Sequence, residues 1–563
     1  MGQKLELTWI GKGDEYKLEN RIIIEKKDFS YGDPNTENML INGDNLLALK
    51  ALEQKFTGKI KCIYIDPPYN TGSAFQHYDD GVEHSKWLEL MSARLILLKK
   101  LLTKDGFLFV SISDDEGHYL KVLMDEVFGR NNYIGSFIWE KKKKPAFLSH
   151  IGVVTEYIFI YTKEKKSSQP LYYGTTKRGK KYPINNAGNG VKVITFPANS
   201  VVFNMKDQRV KAQNMSRGNI ITELLDEVQI VNGRNIESFR LKGEWRYSQS
   251  KIDQILKNNE EIRIAQIPFR PNHVKNEVSK KKIMNLLSRS HFNISTYEDA
   301  TDEIIKLFGS KVFDYPKPEH LVQIILETVT TPNDFVLDSF LGSATTAAVA
   351  HKLGRRWIGI ELGDHAKSLC VHRLKSVIDG EQGGISTKVG WQGGGGYRYY
   401  ELAPSLLEKD QYGMWVISKE YDPTMLAEAV ATQEGFTFQP HESVYWKHGY
   451  SSEKDYIFTT AKYITVEMLI KIHDEMQEDE SLLIACKKFQ SECLDKFSNI
   501  TIQKISGALL RKCEFGRDDS SFNIFNAMEE VEKEIDHEEI SSESEESSSE
   551  TESKSDNPQC RLF

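Results

Sequence analysis

The stretch 335–362, FVLDSFLGSATTAAVAHKLGRRWIGIEL, reads as strand, tight loop, helix and strand. FVLD (335–338) is a short apolar run ending on a carboxylate, the pattern of a strand buried on both faces. Gly342, Ser343 and Ala344 are small, so backbone N–H groups can approach a ligand at the N-terminus of the helix expected over 343–353. RWIGIEL (356–362) is the second strand. Glu361, near its end, lies about 20 residues beyond the loop, where a carboxylate can accept both hydroxyls of a ribose. Read alone, the stretch fits a nucleotide-binding Rossmann unit.

The same alternation recurs outward from it. HLVQIILETV (320–329) has helical periodicity. Toward the N-terminus, 45–52 reads as a helix and KCIYID (61–66) as a buried strand. HSKWLELMSARLILLKKLLTK (84–104) reads as an amphipathic helix closed by Asp105-Gly106. GFLFVSI (106–112) is another strand, 116–128 a helix entered through Asp114 and Asp115, and TEYIFIYTK (155–163) a third strand in this half. Buried strands alternating with amphipathic helices specify a layered α/β sheet.

The strand at 61–66 runs directly into Asp66-Pro67-Pro68-Tyr69. Two prolines fix φ and stiffen the turn at the carboxyl end of the strand, the edge at which open α/β sheets bind ligands. Asp66 offers acceptors, Tyr69 a flat face, and Pro67, which has no N–H, a free carbonyl. Two acceptors and an aromatic plate are what an exocyclic amine on a flat base requires. The blander reading is a rigid strand-ending turn with a capping Asp.

IDPPYNTG (65–72) resembles the catalytic motif of amino-methyltransferases that modify adenine in DNA. The resemblance implies a flipped base stacked on Tyr69, its amine bonded to Asp66 and the Pro67 carbonyl, with Pro68 stiffening the turn and with no metal or covalent intermediate. The loop resembles the S-adenosylmethionine loop of the same enzymes, usually Asp-x-Phe-x-Gly-Ser-Gly-Thr-Thr. That assigns Asp338, Phe340, Gly342, Ser343, Thr345 and Glu361 to the cofactor, with Ala344 at the third small position. YPKPE (315–319) resembles the segment before that loop and adds Lys317 and Pro318, although Lys317 also fits a solvated turn. LINGDN (40–45) resembles the acidic turn whose carboxylate, here Asp44, meets the cofactor's adenine; Asp44 also fits a helix N-cap, and the two roles are compatible.

The catalytic motif here precedes the cofactor loop. That permuted order, with a recognition insert between the parts, resembles the β group of DNA amino-methyltransferases. The fold implied is a Rossmann-like, mostly parallel methyltransferase sheet carrying an inserted basic domain and a C-terminal α/β module. YIFTTAKYITVEMLIKIHDEMQEDESLLIACKKF (456–489) and NITIQKISGALLRKCEFGRDD (499–519) resemble the C-terminal part of type III modification subunits. Such subunits are homodimers that pair with an ATP-dependent restriction subunit. The implied activity is methylation of the adenine N6 amine in double-stranded DNA. Cytosine N4 methylation, whose motif more often begins with Ser, and a non-catalytic DNA-binding subunit are the alternatives.

Charge is unevenly distributed. The net charge is -8, yet residues 141–300 hold 29 Lys and Arg against 14 Asp and Glu, while 529–563 hold 13 acids against 3 bases. Basic segments interleaved with aromatics (Tyr172, Tyr173, Tyr182, Phe196, Phe203, Phe239, Trp245, Tyr247) form an electrostatic footprint for nucleic acid, and Lys141 to Lys144 are expected near its path. The acidic end cannot bury enough apolar area to fold and is expected to be disordered. The expected divisions are an extension 1–38, a catalytic part 39–164, an insert 165–310, a cofactor part 311–402, a C-terminal module 403–528 and a tail 529–563. With 563 residues, 39% of them hydrophobic, the chain is long enough for about three to four domains. No apolar run reaches the roughly 18 residues of a membrane span, and no apolar leader is visible. Six scattered cysteines without CxxC pairs fit a reducing cytoplasm better than a zinc ribbon or disulfide scaffold, and the resemblance implies a prokaryotic one.

Overall fold

The computed structural model describes residues 6–9, 12–13, 17–70, 84–145, 150–275 and 277–507, with the backbone of 74–75 and 78–79. The acidic segment 529–563 lies outside the described residues. The chain divides into two compact units, residues 1–169 with 284–563, and Pro170–Ile283.

The first unit is built on one sheet. Its principal strands are β1 (Met39–Asn42), β2 (Ile60–Ile65), β3 (Leu102–Ile112), β4 (Tyr133–Glu140), β5 (Thr155–Thr162), β6 (Phe335–Asp338), β7 (Arg356–Glu361) and β8 (Gly396–Leu402). They lie in the order β8-β1-β7-β6-β2-β3-β5-β4. Pairings from β8 through β3 are parallel, and β5 pairs antiparallel with β3 and β4. β6 is buried at every position, as expected for a central parallel strand. The helices are α1 (Asn45–Phe56), α2 (His84–Leu101), α3 (Asp114–Met124), α4 (Tyr297–Phe308), α5 (Glu319–Val329), α6 (Thr345–Lys352) and α7 (Val371–Ile378).

Several boundaries differ from the reading of the sequence. α2 ends at Leu101 rather than 104, because Leu102 is fully buried and already in register with Ile60 of the sheet. Ladder pairing overrides helical periodicity there. α3 gives way at Asp125 to a wider turn ending at Gly129, whose φ is +89°.

The described part of the C-terminal segment folds as a five-stranded sheet spanning 437–504, whose last three strands are parallel. SLLIACKKF is one strand (Ser481–Phe489), and Ile500–Lys504 is the next. This segment packs with the first unit. The Gln54 side chain donates to the Phe436 carbonyl at 3.2 Å, and the Asn20 N–H donates to Gln433 at 3.1 Å.

The second unit has a seven-stranded and a four-stranded sheet around its own core. Phe196, Phe203, Phe239 and Trp245 are at most 5% exposed within that core. These four aromatics of the basic segment hold the unit together and cannot stack on bases; Tyr172, Tyr173, Tyr182 and Tyr247 are half-buried. Residues 284–310 group with the first unit: Leu286–Leu287 pairs parallel with β4, and α4 follows.

Three helices behind the cofactor-type loop are joined by buried charge. Glu319 of α5 accepts from Lys352 of α6 at 2.8 and 3.0 Å and from Arg373 of α7 at 3.0 Å. The backbone N–H of Ile385 adds a fourth bond at 3.0 Å, and Glu381 pairs with Lys352 from the other side. Arg373 also donates to the Ser343 carbonyl at 3.0 Å and the Thr345 hydroxyl at 2.8 Å, so the network props the loop from behind. Removing one partner of such a cluster strands the others without water. Lys352→Met is therefore expected to destabilise the first unit by about 3 kcal/mol, read as a lowered denaturant midpoint in chemical unfolding.

Candidate active site

Each side of the site starts where a parallel strand ends. β1, β7, β6 and β2 are neighbours, and the residues at or just beyond their carboxyl ends are Asp44, Glu361, Asp338 and Asp66. Sequence positions hundreds of residues apart thus form one acidic edge.

Asp44 caps α1 by accepting the Leu47 N–H at 3.0 Å, and Arg94, fully buried, approaches its other oxygen at 3.4 Å. Asp338 is buried and accepts the Phe340 N–H at 3.0 Å. Burial pushes its carboxyl up to about 7, with Asp66 and Glu361 adding repulsion. Glu361 accepts the Gly342 N–H, accepts the Leu362 N–H at 3.0 Å, and has His365 Nε2 at 2.9 Å. Gly342 has φ +55°, and a Cβ there would lie 3.2 Å from the Phe313 ring. Ala344 is also left-handed, at φ +60°, a conformation that costs a non-glycine residue roughly 1–2 kcal/mol. Ser343 and Thr345 share a hydroxyl contact at 3.1 Å. The Ser339 hydroxyl is buried without a hydrogen-bond partner among the described residues.

Across the edge, Pro67 is buried and Pro68 is held by the buried Trp87, whose indole donates to the Pro68 carbonyl at 2.8 Å. Asp66 Oδ1 accepts the Tyr69 hydroxyl at 2.8 Å, and Oδ2 accepts Lys317 Nζ at 2.5 Å. Burial raises the Asp66 carboxyl above its ordinary value despite Lys317. The Lys317 ammonium lies 5.1 Å from the Tyr69 ring, 5.2 Å from Tyr297 and 6.0 Å from Trp139, distances suited to cation–π attraction. Lys317 thus meets the turn at 66–69, while its neighbour Pro318 starts α5.

Several members of the site escape the sequence motifs. Glu156 of β5 is 4% exposed and takes Lys141 at 2.8 Å, Tyr297 at 2.9 Å and Tyr69 at 3.1 Å. Lys141, expected near a nucleic-acid path, pairs with this buried carboxylate, and Lys143 pairs with Asp299. A carboxylate inside the otherwise apolar run TEYIFIYT was the available signal for Glu156. Tyr297 carried none, because it falls in a segment that reads as part of the insert.

The family model described as DNA methylase matches residues 60–371, more than half of the chain. The chain belongs to this family. Among its relatives, the "Probable type III restriction-modification enzyme HindVI Mod subunit" of Haemophilus influenzae is 35% identical over 428 residues, covering 68% of this chain and 56% of that protein. The StyLTI Mod subunit of a type III restriction-modification enzyme from Salmonella typhimurium is 28% identical, covering 56% of this chain and 49% of that protein. The type II methyltransferase M.KpnI of Klebsiella pneumoniae is 29% identical, covering 56% and 77%. The chain therefore spans about half the length of the two Mod subunits. The family match takes in Asp66, Asp338 and Glu361 of the acidic edge, and Asp44 precedes it. Among the described residues no helix is long and apolar enough to cross a membrane.

The raised Asp338 carboxyl has a measurable consequence. The folded state holds its proton up to about 7, whereas an unfolded carboxyl releases it near the ordinary value. Folding therefore binds protons between those values, and this group makes stability fall as pH rises through that window. Asp338→Asn removes that contribution. Relative to the wild type, the ligand-free variant is expected to gain melting temperature at pH 8 over pH 5; an unchanged difference refutes the raised carboxyl.

Proposed function

We propose that this chain transfers a methyl group from S-adenosylmethionine to the exocyclic N6 amine of adenine in double-stranded DNA, as the modification subunit of a restriction-modification system. One observation carries the reading: the Asp66–Tyr69 turn and the Asp338–Thr345 loop leave the carboxyl ends of adjacent parallel strands. A base on one and a methyl donor on the other can then meet.

The residues present fit the donor. The edge offers four buried or half-buried carboxyls, with Lys317 on Asp66 and Arg94 near Asp44, an acidic excess that suits a ligand bearing cationic groups. Glu361 would meet a ribose diol, and among the described residues the Ser339 hydroxyl has no hydrogen-bond partner. When bound, S-adenosylmethionine supplies an electrophilic methyl carbon. Asp338, Phe340, Gly342, Ser343, Thr345 and Glu361 would hold it, with Asp44 and Pro318 bordering the site. Asp66 and the Pro67 carbonyl would accept hydrogen bonds from the amine, favouring a nitrogen whose lone pair is free to attack. Tyr69 would carry the flipped ring, at an unstacking cost of a few kcal/mol. Lys317 keeps Asp66 aimed and favours its ionised form.

The second unit, with its exposed lysines, is the proposed recognition domain. A homodimer, an ATP-dependent restriction partner and a cytoplasmic location complete the reading, supported by likeness to the Mod subunits. Asp66 rather than Ser at the motif's head favours adenine over cytosine.

Purified protein given labelled S-adenosylmethionine and DNA is expected to yield N6-methyladenine on nucleoside analysis; N4-methylcytosine would overturn the base assignment. Asp66→Ala is expected to lower transfer at least about 100-fold with cofactor affinity retained, and near-normal transfer would sink its role. Gly342→Val is expected to weaken cofactor binding in calorimetry, since the new side chain meets Phe313; unchanged affinity would refute the loop assignment.

A further inference from the structure

The Tyr69 hydroxyl lies 2.8 Å from Asp66 Oδ1 and 3.1 Å from Glu156 Oε2. A phenol has one hydrogen. It can donate to one carboxylate only, so with both ionised the other contact sets oxygen lone pairs against each other. One added proton on Glu156 satisfies every contact: Glu156 then donates to the Tyr69 oxygen while Tyr69 donates to Asp66.

The surroundings of Glu156 leave that position open for a proton. Lys141 binds Oε1 at 2.8 Å. The Tyr297 hydroxyl lies 3.1 Å from Oε1 and 2.9 Å from Oε2. Lys317 is engaged with Asp66, and the Tyr64 hydroxyl is engaged with Ser111 at 2.9 Å. Trp139 is its cross-strand neighbour. Glu156 touches neither base nor donor in the proposed reaction. Among the described residues, Tyr69 is the hydroxyl that bonds both Glu156 and Asp66.

We propose that Glu156 is the terminal proton acceptor of the methyl-transfer step, reached from Asp66 through the Tyr69 hydroxyl. The proposal rests on the function inferred above. In the reaction the amine lone pair forms the N–C bond, the C–S bond breaks, and its electron pair stays on sulfur. The nitrogen is left cationic and gives a proton to Asp66 Oδ1. Asp66 passes a proton to the phenol oxygen as the phenol's own hydrogen moves to Glu156 Oε2. Asp66 ends as a carboxylate, Tyr69 as a phenol and Glu156 as a carboxylic acid. The positive charge lost from sulfur is balanced by the negative charge lost from Glu156.

Glu156→Gln keeps shape and hydrogen bonding, and Tyr69→Phe keeps the stacking ring. Each is expected to lower the single-turnover methylation rate about 100-fold while DNA and cofactor affinities stay within about twofold. The double variant is expected to be no slower than either single, because both cut one relay. Infrared difference spectra after one turnover are expected to show a new protonated carboxyl in the wild type and none in Glu156→Gln. A Glu156→Gln enzyme with wild-type rate overturns the relay, as does full additivity in the double variant. Wild-type protein that methylates no DNA refutes the parent reading instead.

Discussion

The pairing of β6 with β2 is the contact on which the rest of the site depends. Val336 and Leu337 lie in parallel register with Cys62 and Ile63, so both strands deliver their carboxyl ends to the same edge. Backbone bonds in a buried parallel ladder have no aqueous alternative, and a slip of one residue would turn each inward side chain outward. Register thereby sets the distance between the Asp66 turn and the Asp338 loop, although more than two hundred residues separate them in the chain.

Charge at this edge is handled in two ways. The acids that face the opening are sparsely paired: Asp338 is pushed up by its burial, and Asp66 shares a single lysine. Behind them, Glu319, Lys352 and Arg373 are matched almost completely. The matched cluster is too dry to tolerate a missing partner and keeps the loop in place. The unmatched edge retains affinity for protons and cations. Rigidity and raised proton affinity thus come from different carboxylates on neighbouring elements.

Lys141 shows how tertiary packing reassigns a residue whose type suggested something else. In a run of four lysines it reads as lying near a nucleic-acid path, and its ammonium pairs with Glu156, which also meets Tyr69 of the Asp66–Tyr69 turn. Phe196 and Phe239, stacked at 5.2 Å between centroids, similarly serve the core of the second unit. A small two-sheet unit needs large apolar side chains inside, and interleaving along a strand reflects its two faces as readily as a binding surface.

The sequence by itself determined the α/β class, the strand-to-turn junction at Asp66–Tyr69, the loop at Asp338–Thr345 and the permuted order of the two. Those features are local: apolar runs of fixed length, prolines that set φ, and small residues where backbone must approach. The chain alone also marked Asp44 as a cap, as found. It did not reveal Glu156, Tyr297, Trp87 or the Glu319 network, whose meaning lies in contacts between distant segments. Nor did it place Lys317 against Asp66 rather than on the loop. Burial, proton affinity and the sharing of one phenol hydrogen between two carboxylates depend on three-dimensional neighbours, and only the folded sheet brings those neighbours together.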